Sequence, residues 1–126
     1  DTYGHPTGDR VLIELAALLE REVPTDAMVA RYGGEEFAVV LPRVARKEAA
    51  RLAEDIRRKV TEMTVESEEG QLLNVSASIG VATHADRCFT RAQQLLKAAD
   101  QGVYAAKNAG RNCVRVFAPR KQAPAA

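Results

Sequence analysis

The hydropathy pattern predicts an α+β domain with an antiparallel-rich central sheet flanked by helices. Two observations lead there. Apolar positions recur at helical spacing in three long segments, and between those segments short runs alternate apolar and polar residues around turn-forming residues. No regular strand–helix–strand repeat is visible, which argues against a parallel doubly wound sheet. At 126 residues, 46% of them hydrophobic, the chain can build one core and leaves little room for a second.

The first helix is expected from about Asp9 to Glu22, where Val11, Leu12, Leu15, Leu18 and Leu19 share a face and Pro24 prevents continuation. The residues before it, Asp1 to Gly8, read as a polar loop. Residues 27–32 and 37–41 then form two strands around Gly33-Gly34-Glu35-Glu36, and Pro42 ends the hairpin. From Arg46 to about Met63, Ala49, Ala53, Ile56, Val60 and Met63 step by four and three, predicting a second helix. Residues 64–67 and 72–82 read as another strand pair, in which Val75, Ala77, Ile79 and Val81 alternate against polar residues and glycine. Thr90 with Gln93 matches a capping box for a third helix, with Leu95, Leu96, Ala99, Val103 and Ala106 on one face and an end near Gly110. Val114, Val116 and Phe117 form a last short strand, and residues 118–126 read as a flexible tail.

Charge excludes some partners. Eighteen Lys and Arg against seventeen Asp and Glu give a net charge of +1, so there is no electrostatic footprint for nucleic acid or for direct membrane contact. No apolar run approaches the ~20 residues that span a bilayer, and the first residues carry no secretory signal, so a cytoplasmic setting is expected. Cys88 and Cys113 lie far apart without CxxC spacing and read as reduced thiols.

Three clusters carry candidate chemistry. In Arg31-Tyr32-Gly33-Gly34-Glu35-Glu36-Phe37, two carboxylates follow two glycines at a hairpin tip. The glycines permit close approach of backbone to phosphate, and a carboxylate on a rigid hairpin suits Mg²⁺, which takes a few protein oxygens plus substrate phosphates. Strand alternation would send Glu35 and Glu36 to opposite sides, which assigns Glu35 to metal and Glu36 to support. Asp9 stands near a helix start, where a negative charge is favourable in any case; it can also accept the N–H groups of a guanine edge, with His5 donating to base or phosphate. Lys107 and Arg111 lie four apart at a helix end, suited equally to the helix dipole and to a polyphosphate.

The stretches 1–9, 30–37, 75–82 and 98–112 together resemble, in order, the GGDEF domain of diguanylate cyclases, in its GGEEF variant. The resemblance implies a palm-like fold related to nucleotidyl cyclases and polymerases, and condensation of two GTP into cyclic di-GMP with release of pyrophosphate, by a homodimer in which each domain presents one GTP. It implies Mg²⁺, two per GTP site, with Mn²⁺ as a substitute. Glu35 matches the metal ligand and base toward the 3′-hydroxyl, Asp9 the guanine acceptor, and His5, more loosely, a nucleotide contact. Lys107 and Arg111 match the residues on the terminal phosphates, and Gly33 and Gly34 the turn over which the triphosphate lies.

Two departures shape the expectation. In the family a strand carrying the first metal-binding Asp, then a phosphate-region Lys and a guanine-binding Asn, precede the point that matches Asp1; none is in this sequence. The expected domain is therefore residues 1–117 without its first strand and the start of its first helix. Alone it should bind GTP weakly and make little or no cyclic di-GMP. The longer parent should be an active cyclase driven by an upstream sensory or receiver domain, through which it could be anchored to a membrane. A degenerate module that binds GTP or cyclic di-GMP and signals without catalysis is the alternative. The second departure is at the family's Arg-x-x-Asp product-inhibition element, which here reads Val23-Pro24-Thr25-Asp26 and lacks the arginine, so weak or no inhibition by cyclic di-GMP is expected at this site. Gly102, where the family usually has Ala, costs the third helix ~1 kcal/mol in propensity.

Overall fold

The computed structural model describes residues 5–84 and 91–117, with side chains from Gly8 onward. The tail over 118–126, Cys88, Thr90 and the side chain of His5 lie outside them. Helix α1 (His5–Glu22) begins one turn earlier than expected. Pro6 falls in its first turn, where a missing N–H has no intrahelical acceptor to lose, so the proline does not interrupt the helix. Asp9 consequently sits inside α1 and not at its cap.

Strands β1 (Met28–Arg31) and β2 (Phe37–Val40) form the antiparallel hairpin, with Arg31 opposite Phe37 and Met28 opposite Val40. Helix α2 (Arg46–Glu62) buries Ala49, Ala53, Ile56 and Val60, the stripe its spacing predicts. Leu18 and Leu19 of α1 meet Ile56 and Val60 in the core, which Val29, Phe37, Val39, Val75, Ala77 and Ile79 close from the strand side. Each fully buried aliphatic side chain there contributes ~1.5–3 kcal/mol. A Lys59–Glu22 ion pair ties the end of α2 to the end of α1.

The strand expected over 72–82 is divided. Strand β4 (Leu72–Asn74) pairs antiparallel with β3 (Thr64–Glu66), through a turn in which Ser67 bonds Gly70 and Gln71. Residues 75–78 belong to no ladder, and β5 (Ile79–Val81) instead pairs in parallel with β6 (Val114–Val116). Val75, Ala77 and Ile79 nevertheless pack on the core. Alternation thus reports the buried face and says nothing about the partner strand. A parallel pair needs a crossover, here helix α3 (Ala92–Asn108), so the molecule contains one strand–helix–strand unit that the sequence reading lacked. The described strands form three separate pairs, and β2 and β5 each keep one edge that no described strand pairs.

Helix α3 buries Ala98, Gly102 and Ala106, and of the face expected for it only Ala106 is fully buried. The reason is backbone contact. A Cβ on Gly80 would stand 1.9 Å from the carbonyl oxygen of Ala99, and one on Gly102 would stand 2.8 Å from Gly80 Cα and 3.0 Å from the carbonyl of Arg115. Gly102 costs helix propensity and in return lets α3 lie directly on β5 and β6. The N-terminus of α3 is capped at Arg91, whose N–H donates to the side chain of Gln94, one residue beyond the expected Gln93.

Candidate functional site

The hairpin tip is built from its own backbone. The N–H groups of Tyr32 and Gly33 donate to the carbonyl of Glu36, at 2.8 and 3.3 Å. The Arg31 guanidinium reaches over the turn and donates to the carbonyls of Gly33 and Gly34, at 3.3 and 2.6 Å. Neither glycine adopts the left-handed conformation. A Cβ on Gly34 would meet nothing within 4 Å among the described residues, and one on Gly33 would approach only Glu36, at 3.8 Å. The fold itself therefore does not require these glycines, and the space above them is open.

Glu35 and Glu36 lie in this loop and not in a strand, so alternation does not separate them. Both line a cavity of about 1180 Å³ between the hairpin, α2, β5 and α3. The turn found at these positions corrects the expectation of a strand, on which their alternation rested. Lys107 and Arg111 line the same cavity.

A Schellman ending positions the basic pair. Gly110, at φ 111°, occupies the left-handed position, its N–H donating to Lys107 O and that of Arg111 to Ala106 O. Arg111 and Asn112 continue in the left-handed region, at φ 65° and 47°. The cavity also takes in Ser76, Ser78, Thr83, His84 and Asp100, which the sequence reading did not single out. Thr83 is buried, and its hydroxyl has no partner among the described residues. Ser76, Ser78 and Asp100 fall within the family blocks 75–82 and 98–112, whereas no pattern in the sequence marks Thr83 or His84.

Asp9 is elsewhere. It lines a smaller pocket of about 530 Å³ with Leu12, Ile13, Ala16, Arg31 and Phe37. Phe37 borders both spaces, so the two adjoin across its ring. Gly33 and Gly34 line neither cavity themselves and form the turn between Arg31 and the two acids.

Outside the cavity, Arg57 of α2 donates to Glu54 at 2.8 Å and to the side chain of Asn112 at 3.0 Å. The bond from Arg57 holds the Glu54 carboxyl below its ordinary value of 4.5, and the same bond raises the guanidinium. Asp26 accepts a hydrogen bond from Arg43 at 3.0 Å.

The architecture is that of the palm-like nucleotidyl cyclases. The chain belongs to the GGDEF family: residues 1–113 match "Diguanylate cyclase, GGDEF domain". It is 46% identical over 115 residues to the response regulator PleD of Caulobacter vibrioides, an alignment covering 90% of this chain and 25% of PleD. The GGDEF domain of DgcB from Caulobacter crescentus, solved in complex with c-di-GMP, superposes with a TM-score of 0.81 at 32% identity, covering 92% of this chain and 68% of that one. The active GGEEF domain of a diguanylate cyclase from Vibrio cholerae gives 0.75 at 28% identity, covering 94% and 74%. The chain thus spans about a quarter to a third of the length of the first relatives it matches.

Proposed function

We propose that this chain forms the GTP half-site of a diguanylate cyclase. The observation that carries the reading is the convergence of Glu35 and Glu36 with Lys107 and Arg111 on one cavity, beside an apolar pocket that bears a carboxylate. The pocket of Leu12, Ala16 and Phe37 suits a flat purine, and Asp9 at its edge can accept the N–H groups that distinguish guanine from adenine. The triphosphate crosses the open turn at Gly33 and Gly34 and ends on Lys107 and on the Arg111 fork. The family resemblance adds His5 as a further nucleotide contact.

Family members generally use Mg²⁺ or Mn²⁺. Among the described residues no three His, Cys, Asp or Glu side chains gather as a ready metal site, so Glu35 and Glu36 supply part of a Mg²⁺ shell, and substrate phosphates and the Asp of the family's leading strand would supply the rest. Glu35, supported by Glu36, would hold the ions, which when bound neutralise phosphate charge and acidify the attacking hydroxyl. In the reaction the 3′-oxygen of one GTP bonds to the α-phosphorus of the other, the α–β bridging bond breaks, and pyrophosphate leaves. The hydroxyl proton passes toward Glu35. Repetition in the opposite sense closes the ring, so two copies must face each other, each aligning one GTP.

The domain reading extends to the sheet. The unpaired edges of β2 and β5 both border the large cavity. We propose that the family's leading strand, with its metal-binding Asp, belongs between them, where it would fill the apolar part of the cavity at Val39, Ile56 and Ile79, join the hairpin to the parallel pair, and leave the part lined by Glu35, Glu36, Lys107 and Arg111 to phosphate. An upstream sensory or receiver module and a cytoplasmic setting, where GTP is available, complete the reading; among the described residues no helix is long and apolar enough to cross a membrane.

The test is a titration of GTP with Mg²⁺ into this chain and into a version with PleD's preceding segment fused ahead of Asp1. The fused version is expected to bind more tightly and to make cyclic di-GMP, and Lys107→Ala or Arg111→Ala should each weaken GTP about tenfold. GTP binding indifferent to both substitutions would overturn the site. Binding without product in the fused version would favour a signalling module that does not catalyse.

A further inference from the structure

The loop that carries Arg111 is conformationally expensive. Gly110, Arg111 and Asn112 are three consecutive residues with positive φ, and two of them have side chains. A non-glycine residue in this region costs of order 1 kcal/mol or more unless its surroundings hold it there. Within the loop the Schellman bonds account for Gly110 and Arg111. Asn112 is held from outside: its side-chain oxygen accepts from Arg57 Nη1, at 3.0 Å, across 55 positions of sequence.

Arg57 is itself fixed. Its Nε and Nη2 both donate to Glu54 Oε1, at 2.8 and 2.5 Å, one turn back on α2, and its side chain is 21% exposed. The guanidinium spends one edge on Glu54 and the other on Asn112, a division its planar fork permits and a lysine could not reproduce. Neither Arg57, Glu54 nor Asn112 lines the cavity, whereas Arg111, the neighbour of Asn112, does.

We propose that Arg57 is a positioning residue for substrate: by clamping Asn112 in the left-handed conformation it fixes the loop that aims Arg111 into the polyphosphate cavity. The inference rests on the assignment of Arg111 to phosphate made above, and it adds a support on the far side of the loop, from a different helix.

The experiment uses the 126-residue chain with two readouts, hydrogen exchange of the Arg111 amide and the Kd for GTP in Mg²⁺. Arg57→Gln and, separately, Asn112→Ala are expected to speed exchange at Arg111 and to weaken GTP, each by about tenfold. Adding Asn112→Gly to Arg57→Gln should restore both, because glycine adopts the left-handed conformation without a clamp. In an Arg111→Ala background, Arg57→Gln should weaken GTP no further. Exchange at Arg111 unchanged by Arg57→Gln overturns the clamp. Faster exchange with unchanged GTP affinity, while Arg111→Ala alone still weakens GTP, overturns the proposal and leaves the phosphate assignment standing. Indifference of GTP to Arg111→Ala removes the assignment and the proposal with it.

Discussion

The cavity has two rims built by different means. The acidic rim is local: Glu35 and Glu36 are presented by a turn whose hydrogen bonds, including those from Arg31, all lie between residues 31 and 36. The basic rim depends on distant contacts: Lys107 and Arg111 are placed by α3 lying on β5 through Gly80 and Gly102, and by Arg57 reaching Asn112. Substitutions at the acidic rim should therefore change chemistry and spare the fold. Those beneath the basic rim should change both together.

The largest effect is expected at the acidic tip. Glu35→Gln removes a charge with no role in the core, so in the fused version cyclic di-GMP formation should fall by about 10²–10³-fold, the scale of losing one preorganised electrostatic group. The melting temperature should stay within a degree or so of the parent. Turnover unchanged, or loss of turnover that merely tracks unfolding, would break the contrast.

Next come the two kinds of glycine. Gly80→Ala forces a methyl to within 1.9 Å of a helix carbonyl, so α3 must lift from β5; overpacking of this kind costs ~1–3 kcal/mol or more, lowers Tm by several degrees and weakens GTP as the basic rim shifts. Gly34→Ala meets no described atom within 4 Å and should leave Tm unchanged while weakening GTP about tenfold, if phosphates pass over the turn. Paired thermal melts and GTP titrations separate the two. A stable Gly80→Ala would mean that α3 is not held by backbone contact, and a fully GTP-competent Gly34→Ala would move the triphosphate away from the turn.

The same division governs what could be read from sequence. The α2 stripe was legible because Ala49, Ala53, Ile56 and Val60 express a local period in hydropathy. The face of α3 was not, because its contact uses Ala98 and Gly102, whose value lies in small size against a glycine far back in the chain. Likewise alternation marked Val75, Ala77 and Ile79 as core-facing, while the parallel pairing of β5 with β6 depended on the crossover. The residue types of the site were legible as four blocks of a family pattern. Their convergence on one cavity, the separate pocket of Asp9, and the clamp of Arg57 on Asn112 all arise from tertiary placement, which no window of sequence contains.

The smallest expected effect is a pH dependence that tests how the basic rim is braced. The hydrogen bond from Arg57, reinforced by its charge, holds the folded Glu54 carboxyl below its ordinary 4.5. A carboxylate with a depressed folded value binds its proton more readily when unfolded, so its contribution to stability is fully present above about pH 4.5 and is lost as pH falls through the folded value. The Glu54 side chain is about half exposed, so the contribution is modest and screened by salt. The Tm difference between the unsubstituted chain and Glu54→Gln should therefore be greatest near neutral pH and low ionic strength and should shrink below pH 4.5, in step with a loss of protection, relative to the intrinsic exchange rate at each pH, at the Arg111 amide of the unsubstituted chain. A Tm difference that persists unchanged into the acid range would show that the Glu54 charge does not brace the clamp, leaving Arg57 to hold Asn112 by its own packing on α2.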